Sequence, residues 1–107
     1  MSLSTHVLDL QSGQPASQIP VTLSRNNELI GQGVTDSDGR VADLLDGAPL
    51  TAGSYQLTFA VANYFASQSL ETLYETIPVH FVIQDISRHY HIPLLLSPFG
   101  YSTYRGS

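Results

Sequence analysis

Four histidines and four arginines carry most of the chemistry open to this chain, which has no cysteine and no lysine. His6, His80, His89 and His91 are the side chains whose ordinary pKa lies near neutrality, so proton transfer at pH 7 falls to them first. His6 stands in Thr5-His6-Val7-Leu8-Asp9-Leu10, where a two-residue period puts it on the face of Leu8 and Leu10. That placement suits a partly buried ring held by a hydrogen bond, and equally a general base or a group that positions a substrate. His89 and His91 form a His-x-His pair on one strand face. Two histidines fall short of the three or four protein ligands of a zinc site, and His89 reads as an exposed residue leading into a strand. His80 is out of phase with Val79 and Phe81, so it points away from their apolar face. Arg40 follows Asp36-Ser37-Asp38-Gly39, a tight turn that launches the arginine at a set angle. Its guanidinium either pairs with Asp36, Asp38 or Asp43 at the surface, which is worth little, or serves as a planar fork for an anionic or urea-like ligand. Asp36-x-Asp38 lacks the further oxygen ligands of a calcium loop.

Other chemistries fall away. No glycine-rich phosphate loop opens a helix, and no Gly-x-Ser-x-Gly elbow occurs. With four arginines against nine acidic residues and a net charge of −5, no basic patch can form, which excludes general nucleic-acid binding. No apolar run approaches the ~18 residues that would span a bilayer. The opening Met1 to His6 lacks a basic and then apolar leader, and reads as a cytoplasmic start or as a mature chain whose leader has gone. Only 12 % of residues are charged, against ~25 % in ordinary soluble domains, and a surface so short of charge favours an oligomer. The last residues, Tyr101 to Ser107, form either a dispensable tail or a group of Tyr, Arg and Ser side chains held by the preceding Pro98-Phe99-Gly100 turn.

The elements that must position these groups are strands. The chain of 107 residues has the size of one domain, taken as 1–107. Turn signals at Ser12-Gly13, Asn26-Asn27, Asp36 to Gly39, Asp46 to Pro49, Ala52-Gly53 and Pro98 to Gly100 separate short alternating segments, the mark of an all-β sandwich or barrel. Strands are predicted over 5–10, 21–25, 29–35, 40–42, 55–61, 76–83 and 91–96, with a short edge strand over 101–104. Tyr55, Leu57, Phe59 and Val61 point inward, and Ile77, Val79, Phe81 and Ile83 share one face. Residues 62–70 break the two-residue period and suit a short helix. Pro78 and Pro93 cannot donate to a ladder, so each predicts a strand start, an edge or a bulge. Two packed antiparallel sheets bury this many half-apolar strands.

Three stretches resemble the transthyretin-like family across nearly the whole chain. They are Leu3-Ser4-Thr5-His6-Val7-Leu8-Asp9 with Gly13-x-Pro15-Ala16, then His89 to Tyr101, and the ending Tyr104-Arg105-Gly106-Ser107, which is similar to that of the family's 5-hydroxyisourate hydrolases. Asp38-Gly39-Arg40 and Tyr64-Phe65-Ala66 also fall where the family has them. The resemblance implies a sandwich of two four-stranded antiparallel sheets with one short helix. It further implies a homotetramer, a dimer of dimers with active sites in a central channel, and hydrolysis of 5-hydroxyisourate without metal or organic cofactor. On the matching positions it implies His6, His91 and Ser107 as catalytic residues, with His6, Arg40 and Tyr104 binding substrate. The hormone-carrying branch holds other residue types at positions 6, 40 and 91 and ends in a different tail. The alternative is a non-catalytic carrier of a small aromatic ligand.

Overall fold

The computed structural model describes residues 2–41, 43–45 and 47–106. One sheet is built from the middle of the chain. β3 (Pro20–Arg25) and β4 (Glu28–Val34) are joined by Asn26-Asn27, both in the left-handed region at φ 52° and 63°. Two left-handed residues twist a two-residue turn the way paired strands twist, and asparagine tolerates that region better than most side chains. β5 (Gly53–Ala60) pairs with β3 and β6 (Thr76–Ile83) pairs with β5, giving the antiparallel order β4-β3-β5-β6. Of the inward set read from alternation, Tyr55, Leu57, Phe59, Val61, Ile77, Val79 and Ile83 are buried in the core with Val21 and Leu23, and Phe81 is half-buried against it. Pro78 lies in β6, an edge strand, where its missing donor is harmless. The helix α1 (Ala62–Ser67) is shorter than the predicted 62–70 and anchors itself through buried Phe65.

The second sheet is built from the first two and last two strands of the chain. β1 (Leu3–Asp9) lies between β2 (Gln14–Pro15) and β7 (Tyr90–Ser97), and β8 (Gly100–Thr103) folds back on β7. The expected pair of four-stranded sheets is therefore present, but one seam differs. β1 and β7 run parallel, with Ser4 opposite His91 and His6 opposite Pro93. A parallel pair needs a long crossover, and here everything from β2 to β6 is that crossover. The predicted strand over 40–42 is reduced to a single bridge between Arg40 and His6, and Ala42 lies outside the described residues.

Pro93 departs from expectation, because it sits inside a central strand. The reason lies in the ladder. Tyr90 donates its N–H to Ser2 O at 3.0 Å on the β1 side, so alternate residues His91 and Pro93 face the β8 side. β8 ends at Thr103, opposite Leu94, so the strand has stopped where proline has no N–H to offer. The Pro93 carbonyl instead accepts the Thr103 hydroxyl at 2.7 Å.

The buried face of β1 is Leu3, Thr5, Val7 and Asp9, not the face of His6, Leu8 and Leu10. Two polar side chains go inside because each finds a partner. Thr5 donates to Ile92 O at 2.7 Å. Asp9, 1 % exposed, accepts Gln11 N–H at 2.9 Å and Ser12 N–H at 3.3 Å on Oδ1, and the Tyr64 hydroxyl at 2.6 Å on Oδ2. This hydrogen bond ties α1 to the first sheet strand and leaves His6 facing outward. Burial and the Asp9 carboxylate push the Tyr64 phenol up to about 12. Its contribution to stability is thus full below pH 10 and is lost as pH rises through 12. Tyr64→Phe is expected to cost ~1–3 kcal/mol in chemical denaturation at neutral pH, the cost of a buried acceptor left unpaired, and to flatten the stability curve between pH 10 and 12.

Candidate active site

Three of the residues singled out in the sequence converge on the outer face of the β1–β7 seam. Cross-strand partners share a face, so the His6–Arg40 bridge and the Ser4–His91 pair place Arg40, His6, Ser4 and His91 on one side of the sheet. His6 and His91 are half-buried and Arg40 is exposed. His89, just before β7, stacks its ring on His91 at 6.4 Å and 12°. The two rings lie face to face rather than converging on a point. Among the described residues, no group of three or more His, Asp or Glu side chains is placed to hold a metal ion.

Arg40 is delivered by its turn. Asp36 Oδ1 accepts the N–H groups of Asp38 at 2.9 Å and Arg40 at 3.0 Å, which locks the turn. Gly39 has φ +73°, and a Cβ there would lie 2.4 Å from Val7 O. Its own carbonyl accepts Val7 N–H at 2.8 Å. Glycine is needed twice, for the left-handed backbone and for the contact that docks the turn on β1. Docking at Val7 is what sets Arg40 beside His6.

His91 is held on two sides. Ser4 Oγ lies 2.8 Å from Nδ1. On the other flank, Gly106 donates its N–H to His91 O at 2.8 Å and packs closely against the imidazole. A Cβ on residue 106 would stand 2.4 Å from His91 Cδ2 and 3.3 Å from Pro93 Cγ. The His91–Gly106 bridge keeps the register of β7 with β8, so the tail resumes the ladder after Tyr104 and Arg105. The Arg105 guanidinium lies 4.8 Å over the Tyr90 ring and bonds His89 O at 3.5 Å. Tyr104 stands at the level of Pro93, 57 % exposed, and borders a cleft of about 250 Å³ with Tyr90, Ile92 and Val79. Ser107 lies outside the described residues.

Electrostatics complete the picture. Burial holds the His91 pKa below the ordinary histidine value, and Arg40, His89 and His6 push it in the same direction, against an opposing influence of the Ser4 backbone. These influences favour the neutral form of His91, which has a lone pair to offer. Two groups escaped the sequence reading. Ser4 was legible as a same-face neighbour two residues before His6. Gly106 had no signal of its own, because its importance lies in the absence of a side chain.

In an NMR titration His91 is expected to protonate below pH 6.5. Arg40→Gln should raise that midpoint, since the cation opposing the imidazolium has gone; an unchanged midpoint would separate the two side chains. Gly106→Ala should push the tail off the His91 ring, and the amide of residue 106 should then exchange with solvent faster, with little change in melting temperature.

A profile of the HIUase/Transthyretin family matches residues 3–106. A 5-hydroxyisourate hydrolase of Salmonella dublin is 43 % identical over 109 residues, covering 98 % of this chain and 80 % of that protein. The structure of Klebsiella pneumoniae 5-hydroxyisourate hydrolase superposes with a TM-score of 0.90 at 42 % identity, over 100 % of both chains. Sea bream transthyretin, solved in complex with thyroxine, gives 0.91 at 30 % identity over 99 % of this chain and 95 % of that one. The fold alone does not separate the two branches, while the identity is higher to the hydrolases. By profile, sequence and fold, this chain belongs to the HIUase/transthyretin family.

Proposed function

We propose that the chain hydrolyses 5-hydroxyisourate to 2-oxo-4-hydroxy-4-carboxy-5-ureidoimidazoline, a step in urate degradation towards allantoin. The observation that carries this reading is the grouping of His91, His6 and the Arg40 guanidinium on one sheet face. Hydrolysis of a cyclic amide needs a base to take a proton from water, a cation for the oxyanion and an acid for the departing nitrogen. The group supplies all three. The histidine pair deprotonates a water that attacks the C6 carbonyl; the electron pair moves onto oxygen, where Arg40 stabilises it. Collapse breaks the N1–C6 bond, and N1 takes a proton. Water and side chains balance this reaction, so it asks for no electron carrier or other cofactor. On the family resemblance, Ser107 orients the histidines from the end of the tail and Tyr104 donates a hydrogen bond across the pocket.

The site lies on an open face, which gives a flat substrate only one wall. A homotetramer, a dimer of dimers with that face lining a central channel, would supply the other. Exposed Leu10 and the half-buried Leu8 and Leu95 lie along the same sheet and suit burial in such an assembly.

Two measurements test this. 5-Hydroxyisourate, generated in the cuvette from urate, is expected to lose its ultraviolet absorbance faster at substoichiometric protein than without it. His91→Asn should lower kcat by ~10²–10⁴ while leaving a tetramer by light scattering. Background decay from folded wild-type tetramer would sink the hydrolase and bring forward the carrier of a small aromatic ligand, which binds without turnover.

A further inference from the structure

Beyond the grouping of His6, Arg40 and His91, four side chains stand in series. Ser2 Oγ is hydrogen-bonded to His89 Nδ1; His89 Nε2 lies 3.3 Å from Ser4 Oγ; Ser4 Oγ lies 2.8 Å from His91 Nδ1. The parallel register creates the series, since it sets Ser4 opposite His91 and lets Ser2 O take the Tyr90 N–H at 3.0 Å. The series begins at half-buried His91 and ends at exposed His89 and Ser2. We infer that Ser4, His89 and Ser2 are a proton relay that connects His91 to solvent, with Ser4 and His89 acting as positioning and proton-carrying residues for the proposed hydrolysis.

Donor counting gives the relay its direction. A serine hydroxyl has one hydrogen and two lone pairs, and a neutral imidazole has one N–H and one bare nitrogen. The Ser4 hydroxyl cannot donate to both rings. When it uses its hydrogen, it receives N–H from one ring and gives O–H to the other. If His91 carries its proton on Nδ1, its Nε2 is bare and competent as a base; Ser4 then donates to His89 Nε2, and His89 Nδ1–H donates to Ser2. The opposite polarity puts the His91 proton on Nε2, with Ser4 donating to its Nδ1. The base-competent form of His91 is thus coupled to the tautomer of His89.

The reaction moves the chain from one polarity to the other. As the water oxygen bonds to the carbonyl carbon, its proton goes to His91 Nε2. The Nδ1 proton passes to Ser4 Oγ, the Ser4 proton to His89 Nε2, and the His89 Nδ1 proton to Ser2 and bulk water. As the N1–C6 bond breaks, His91 Nε2 gives its proton to N1, the same hops in reverse return a proton to Nδ1, and the new carboxylic acid ionises into solvent. His91 stays neutral at each stage. That matters because burial and the Arg40 guanidinium both disfavour an imidazolium at His91. On the outer side, the Arg105 guanidinium reaches His89 through its carbonyl.

The test uses the full-length wild type, Ser4→Ala, Ser4→Thr and His89→Gln, with circular dichroism to check folding. His89→Gln and Ser4→Ala are expected to lower kcat about tenfold in dilute buffer with KM unchanged, less than the ~10²–10⁴ of the base itself. Added imidazole should restore His89→Gln by replacing the missing carrier, and Ser4→Thr should retain the wild-type rate. Wild-type kcat in both losses, or losses that neither imidazole nor threonine repairs, would overturn the relay. Ring-nitrogen NMR shifts, which report the tautomer, decide independently of turnover. One Ser4 hydroxyl between two neutral rings allows only matched tautomers, Nδ1–H on both His89 and His91 or Nε2–H on both, and Ser4→Ala should release that match; mismatched tautomers in the wild type would also overturn the relay. If the wild type does not turn over 5-hydroxyisourate, the hydrolase reading fails, and the tautomers still decide whether the hydrogen-bonded series exists.

Discussion

The parallel seam between β1 and β7 is the constraint on which the rest of the site depends. It pairs residues 87 positions apart, and on its outer face it sets Ser4 beside His91 and His6 beside Pro93. Because side chains alternate with a period of two, a slip by one residue would turn His6 into the core and bring Val7 out. Thr5 and Asp9 guard against that slip. Each is buried with partners that exist only in this register, the carbonyl of Ile92 and the hydroxyl of Tyr64. The polar side chains inside β1 thus specify which face the functional histidine occupies.

Both edges of this seam are docked rather than open. On the β1 side the Asp36–Arg40 turn sits against Val7, and on the β7 side the tail returns to His91 at Gly106. Glycine makes each contact possible. The same close packing lowers the His91 pKa, through burial first and then through neighbouring positive charge. Structural docking and chemical tuning are here the same contacts.

Much of this architecture was legible in the sequence. Alternation located β5 and β6 and their inward residues, and Asn26-Asn27 marked its hairpin, because these are local patterns with local causes. His6, Arg40 and His91 stood out through residue type and through the family resemblance. The sense of the β1–β7 pairing was not legible, since nothing within either strand encodes the direction of a partner so far along the chain. Nor was the buried face of β1: by hydrophobicity Leu8 and Leu10 outweigh Thr5 and Asp9, and only the tertiary partners of Thr5 and Asp9 reverse the choice. Ser4 was passed over because a serine on a strand is ordinary until the residue opposite it is known.

The break in the ladder at Pro93 has a consequence for how the tail tolerates change in length. Tyr104 and Arg105 lie outside any strand, and such segments usually accept an inserted or deleted residue without harm. Here the ladder has the same register before the break, at Leu94–Thr103, and after it, at His91–Gly106. The two residues between act as a spacer of set length. One residue more or fewer would present a different side to the imidazole, and in place of a bare glycine the ring would meet a side chain for which there is no room. Tyr104 and Arg105 have the look of a loop, yet their number is as strictly specified as that of any strand.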